Sequence, residues 1–136
     1  MVSIRHHKVT IIRYRRPAKR DLNDELQFFG NSLGLFGDRD KDRSCFRVFI
    51  ELLKATRTNN GMTSDALAVR TGLSRGTVVY HLKRLMDSGL VVYEEGRYFL
   101  RAGNLEAVME EIQKDVNRTM EDLRNIAGEI DKGMGL

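Results

Sequence analysis

The sequence predicts a mainly α fold with a small β-wing and a long C-terminal helix. Three observations carry the expectation. Residues 62–101, MTSDALAVRTGLSRGTVVYHLKRLMDSGLVVYEEGRYFLR, contain two short helices, each with its own start signal, then a strand, a turn and a second strand. Residues 105–130 repeat side chains at alternating spacings of four and three, apolar except for one threonine. The excess positive charge of the chain is confined to its first 20 residues.

Residues 1–20 form the first segment. Arg5, Lys8, Arg13, Arg15, Arg16, Lys19 and Arg20 lie here with no acid, while the other 116 residues hold 16 basic and 19 acidic side chains. A basic N-terminal arm can hold DNA phosphates or reach into a minor groove. HKVTIIRY also has β character at Val9, Thr10, Ile11, Ile12 and Tyr14. A packed strand is therefore the alternative, with Arg13 and Arg15 on one face and Ile12 and Tyr14 on the other. The two readings are compatible.

Residues 21–42 read as a helix and a linker. Asp21 can cap the helix, and Leu22, Leu26, Phe29, Leu33 and Phe36 form its stripe. Gly30 and Gly34 weaken it in isolation and leave room for another helix to approach. GDRDKD, residues 37–42, is a polar linker. Residues 43–103 form the next domain. Its first helix runs from about Arg43 to Arg57, with Cys45, Phe46, Phe49, Ile50 and Leu53 on one face, widened by Val48 and Leu52.

Thr63 is a good N-cap for the following helix, which carries Leu67, Ala68 and Val69 and ends at Gly72. Ser74 caps the next helix, whose inner face is Val78, Leu82 and Leu85. Gly89 stops it, and Leu90 can fold back on Leu85 as a Schellman ending. Leu90 to Tyr93 read as a strand, Glu94 to Arg97 as a turn, and Tyr98 to Leu100 as the return strand. This order is that of a winged helix-turn-helix, a fold whose second helix usually lies in the DNA major groove.

LSRGTVVYHLKRLMDSGLV, residues 73–91, resembles the recognition-helix region of ArsR-type winged-helix regulators. Those typically show Leu-Ser, Thr-Val, His-Leu-Lys, Leu and Gly-Leu-Val at this spacing. The similarity extends over residues 43–101. Much of it is common to prokaryotic winged-helix regulators, MarR-type included, and the style of the chain resembles archaeal members. The resemblance implies a DNA-binding transcriptional regulator.

Residues 104–132 are the dimerisation helix. Asn104 can cap it. Met109, Val116, Leu123 and Ile130 take a positions, and Leu105, Ile112, Thr119 and Ile126 take d positions. A small winged domain does not easily cover a stripe about 40 Å long. The same helix of a second subunit is the expected cover, and a helix folded back on its own domain is the alternative. The interface residues are Leu105, Met109, Ile112, Val116, Leu123, Ile126 and Ile130. Asp115, Asp122 and Glu129 at g face Gln113, Met120 and Ala127 at e, so no ion-pair ladder results. Met120 and Ala127 widen the stripe, which suits a further contact with the Leu22–Phe36 helix.

The predicted partner is double-stranded DNA, bound by a homodimer. Arg75 in the first turn of the recognition helix suits a guanine edge. Gly76 allows close backbone approach. Thr77 suits a phosphate or a base, or else only supports the cap. Tyr80 suits a phosphate or a thymine methyl, and Lys83 and Arg84 suit phosphates. Arg97 is the wing contact, although Glu94 and Glu95 depart from a basic wing. Arg13, Arg15 and Arg16 are the arm contacts. His81 is expected to be a packing residue.

Other functions find little support. Soft-metal sensing needs several thiolates, and Cys45 is alone. His6 and His7 are neighbours that point apart on a strand. No metal, cofactor or catalytic residue is expected, since no activated nucleophile, phosphate loop or paired carboxylates occur. The single Cys suits a reducing cytoplasm. No apolar run approaches membrane-spanning length, and no signal-peptide core is present. A winged-helix module for protein interaction or chromatin architecture is the competing reading, favoured by the acidic body and wing.

Overall fold

Asp21 accepts a hydrogen bond from the Asp24 backbone N–H at 2.8 Å, which starts α1 (Leu22–Ser32). The structure is a computed structural model and describes residues 7–18, 21–37, 40 and 43–136. α1 stops at Ser32, short of the predicted Phe36. Gly34 has φ +71°, the left-handed backbone that ends a helix. Gly34 N–H donates to Asn31 O at 3.0 Å, and Leu35 N–H donates to Gly30 O at 2.9 Å. That is a Schellman ending, and it turns Leu35 and Phe36 back into the core. Gly30 receives the ring of Phe36 rather than a second helix.

Part of the predicted linker serves as a cap. The Asp40 carboxylate accepts from Cys45 N–H at 2.8 Å and from Phe46 N–H at 3.2 Å. It closes the open end of α2 (Ser44–Thr56), whose own cap position, Arg43, has no side-chain bond. The buried stripe of α2 is Cys45, Val48, Phe49 and Leu52. Phe46, Ile50 and Leu53 are only half-buried, so the inward face is rotated from the predicted one.

α3 (Ser64–Thr71) begins at Thr63, which accepts from Ala66 N–H at 3.1 Å, and ends at left-handed Gly72. α4 (Arg75–Asp87) begins at Ser74, which accepts from Thr77 N–H at 3.1 Å. It closes with Gly89 N–H on Met86 O and Leu90 N–H on Leu85 O, the predicted Schellman pair. β1 (Val91–Glu94) and β2 (Arg97–Leu100) pair antiparallel, with Val91 opposite Leu100 and Glu94 opposite Arg97. Glu95 and Gly96 both have positive φ, 49° and 82°, the two-residue turn that fits strand twist. Met62 adds an isolated bridge to Tyr98, with backbone bonds of 2.9 and 2.8 Å.

Asn104 accepts from Ala107 N–H at 2.8 Å and starts α5 (Leu105–Met134), 30 residues long. Its first turns belong to the domain: Val108 and Ile112 are buried, and Leu105, Met109 and Val116 pack on the same core. Arg101 ties the end of β2 to this helix through Glu111 at 2.9 Å and Asp115 at 2.7 Å. Beyond Val116 every residue of α5 is exposed. The single core joins Val48, Phe49 and Leu52 to Leu67, Val78, Leu82, Leu85, Leu90, Val91 and Leu100. Helices α2 to α4, the hairpin and the long α5 make a winged helix-turn-helix with a long C-terminal helix.

The described part of the N-terminal segment, residues 7–18, is not a strand. Residues 7–18 run as an extended strap without ladder partners. Lys8 N–H donates to Asp87 O and Ile12 N–H to Ser32 O, both at 2.7 Å. Val9 packs on the core, while Ile11, Ile12 and Tyr14 stay exposed. The β character of this stretch thus meets no sheet to join among the described residues. Two backbone bonds hold the strap across the ends of α4 and α1. Arg5, Lys19 and Arg20 lie outside the described residues.

Candidate nucleic-acid interface

The site is the outer face of α4. Val78, His81, Leu82 and Leu85 are buried and fix the helix in the core. The periodicity of 3.6 then turns Arg75, Gly76, Tyr80 and Lys83 outward, and all four are exposed. A Cβ added at Gly76 would meet nothing within 4 Å, so the backbone itself is open to approach. Two cations with an exposed tyrosine between them can bond phosphates and base edges.

Arg75 Nε lies 3.5 Å from Asp65 Oδ1 of α3. Sequence periodicity gave no sign of this pair, because it joins two helices across a turn. Thr77 is part of the cap. Ser74 Oγ donates to Thr77 Oγ1 at 2.9 Å, which leaves the threonine O–H as a donor. Tyr80 meets His81 edge to face, with ring centroids 5.2 Å apart.

Arg84 departs from its predicted place at a phosphate. Its Nη2 donates to Gly34 O at 3.1 Å and Leu35 O at 3.3 Å, and the guanidinium lies 6.0 Å from the Tyr80 ring centroid. The side chain is half-buried. Arg84 therefore clamps the end of α1 to α4, at the point where Thr10 of the strap lies against Gly34. The sequence placed it at the edge of the outer face, and its long side chain turned inward from there.

His81 is buried, as expected of a packing residue, and its Nδ1 has no hydrogen-bond partner among the described residues. Burial holds its pKa below the ordinary value; Asp40 draws it up and Arg84 pushes it down. Cys45 is fully buried, and burial pushes its thiol up to about 12, against a smaller opposing effect of Arg84. Among the described residues no three or more His, Cys, Asp or Glu are placed to hold a metal ion.

In the wing, Arg97 is exposed, and its Nη1 donates to Asn60 O at 3.3 Å. Glu94 and Glu95 are exposed beside it. Arg13, Arg15 and Arg16 are exposed along the strap. Val69, grouped by sequence with the apolar residues of α3, is 83% exposed. Leu67, two residues earlier, is the residue that turns inward.

Residues 50–92 match the family of winged helix-turn-helix DNA-binding domains. The match spans the second half of α2, all of α3 and α4, and the start of the wing. It thus contains both helices of the helix-turn-helix and the whole outer face of α4. No curated protein and no solved structure matches the chain. No described helix is long and apolar enough to cross a membrane.

The predicted dimer residues fall into two groups. Leu105, Met109, Ile112 and Val116 are occupied within their own winged helix-turn-helix domain. Leu123, Ile126 and Ile130 are 57%, 53% and 57% exposed. Asp115, placed at a heptad flank, is engaged by Arg101 of the same chain. Met120 and Ala127 are exposed.

Proposed function

We propose that the protein is a transcriptional regulator that binds double-stranded DNA in a sequence-specific manner as a homodimer. One observation carries the reading: α4 is pinned by four buried residues while Arg75, Gly76, Tyr80 and Lys83 are left uncovered. Arg75 and Tyr80 read base edges, with Gly76 allowing close approach. Thr77 donates its remaining proton to a phosphate, and Lys83 and Arg97 neutralise phosphates. Arg13, Arg15 and Arg16 extend the phosphate contacts along the strap. The likeness of residues 73–91 to ArsR-type regulators supports the same role without a metal.

The dimer rests on the outer half of α5. Met120, Leu123, Ile126, Ala127, Ile130 and Met134 are bare on a helix whose inner turns are already covered. A second copy offers the same stripe, and twofold pairing presents two α4 helices about 34–36 Å apart to a palindrome. The acidic wing, Glu94 and Glu95, favours the alternative of a protein-interaction or architectural module.

Selection from a random duplex pool tests both readings. The expected result is an inverted repeat with half-site centres one helical turn apart. Recovery of no enriched sequence would remove the sequence-specific role and leave the interaction module.

A further inference from the structure

Two caps fix where an acid and a base meet. Thr63 sets the start of α3 and so places Asp65 in its first turn. Ser74 sets the start of α4 and places Arg75 as its first residue. The turn at Gly72 brings these helix starts together, and Arg75 Nε comes to 3.5 Å from Asp65 Oδ1. Both side chains remain exposed, at 72% and 78%, so the pair contributes little to stability.

Its geometry has a sharper use. A guanidinium carries its donors in a rigid planar fork. Asp65 lies beside the Nε edge at ion-pair rather than hydrogen-bond range, and neither terminal nitrogen makes an ion pair among the described residues. The outer pair of N–H groups is the part that fits O6 and N7 of guanine bidentately. A free arginine loses rotamer freedom on docking, and a carboxylate that attracts Nε biases the side chain towards one placement and removes part of that loss beforehand.

We propose that Asp65 is a positioning residue for base readout: its charge draws the Nε edge of Arg75 towards α3 and so presents the terminal nitrogens to a guanine. This rests on α4 being the groove-reading helix. The same carboxylate repels nearby phosphates, so it lowers affinity for DNA in general while raising discrimination. Those two effects have opposite signs, which a merely structural residue does not produce.

The test uses the full chain as wild type, Asp65→Ala, Asp65→Asn, Arg75→Ala and the Asp65→Ala/Arg75→Ala double variant. Each is titrated against the selected operator and against the duplex with the Arg75-dependent base pair exchanged, and its thermal midpoint is recorded. Asp65→Ala is expected to lower the ratio of the two affinities by about three- to tenfold. It should raise affinity for unrelated DNA and leave the midpoint nearly unchanged. In the Arg75→Ala background the same substitution should leave the ratio unaltered. Asp65→Asn, which keeps the shape, supplies the comparison if the alanine variant folds poorly. An unchanged ratio in folded Asp65 variants, with Arg75→Ala losing base preference, overturns the positioning role alone. If Arg75→Ala keeps full preference, the groove assignment of α4 falls and the role of Asp65 falls with it.

Discussion

The ring of Phe36 lies over Gly30 so closely that a methyl group at Gly30 would overlap its Cδ2, Cε2 and Cζ atoms. Phe36 is itself wedged against Phe46 and Phe49, with centroids 5.3 and 6.0 Å away. The ring therefore has little room to retreat. Gly30→Ala should destabilise the domain by about 1–3 kcal/mol through overpacking. Denaturant unfolding checks this, and a variant as stable as wild type would show that the ring relaxes freely.

Arg84 separates a structural from a DNA-contacting role. Its charged bonds to Gly34 O and Leu35 O hold the end of α1 on α4. Arg84→Ala should cost about 1.5–3 kcal/mol for those bonds. The slope of log K against log salt should change little, whereas Lys83→Ala should flatten it by about 1 per protomer. Parallel melting and salt titrations distinguish the Lys83 position from the Arg84 position.

Removal of residues 117–136 should leave a folded monomer. Val108 and Ile112, which complete the core, remain in such a chain. Leu123→Asp with Ile126→Asp should act in the same way, because both residues are exposed in the single chain. Sedimentation should find a dimer for wild type and a monomer for the variants, with helical circular dichroism retained. A wild type that sediments as a monomer at micromolar concentration removes the dimer.

His81 makes stability depend on pH. Burial depresses its folded pKa below the ordinary 6.5, so the unfolded chain takes up the proton first as pH falls. Its contribution is full above the unfolded value. It is lost as pH falls from there towards the lowered folded value. Unfolding measured across this window should show stability rising with pH, and His81→Gln should flatten the rise. Equal slopes in both proteins would mean that other groups set the dependence.

The sequence was most legible where a local signal and a pattern agreed. Thr63, Gly72, Ser74, Gly89 and Asn104 mark boundaries that the backbone keeps. Gly34 and Leu35 carry the same ending as Gly89 and Leu90. It was obscured because Leu33 and Phe36 continued the apolar spacing of the helix. Asp40 lies in a stretch that reads as linker, since a cap reaching five residues forward has no short motif. The inner face of α4 was legible from Val78, Leu82 and Leu85, and its outer face followed by difference. Arg84 and Asp65 were not, because their partners lie on other elements. The heptad identified a long helix correctly, yet periodicity alone does not say which turns the chain covers itself.

About three turns of α5 are built into the domain and about five project from it, without a break in the helix. Along such a rod each residue adds about 100° of rotation and about 1.5 Å of rise. The angular phase between the bare stripe and α4 is therefore counted out in residues. One residue inserted between Val116 and Leu123 would swing the stripe about a quarter-turn around the axis. Seven would restore its phase to within about 20° and lengthen the rod by about 10 Å. α5 thus works as gearing: single-residue steps set its phase, and whole heptads set its length at nearly constant phase.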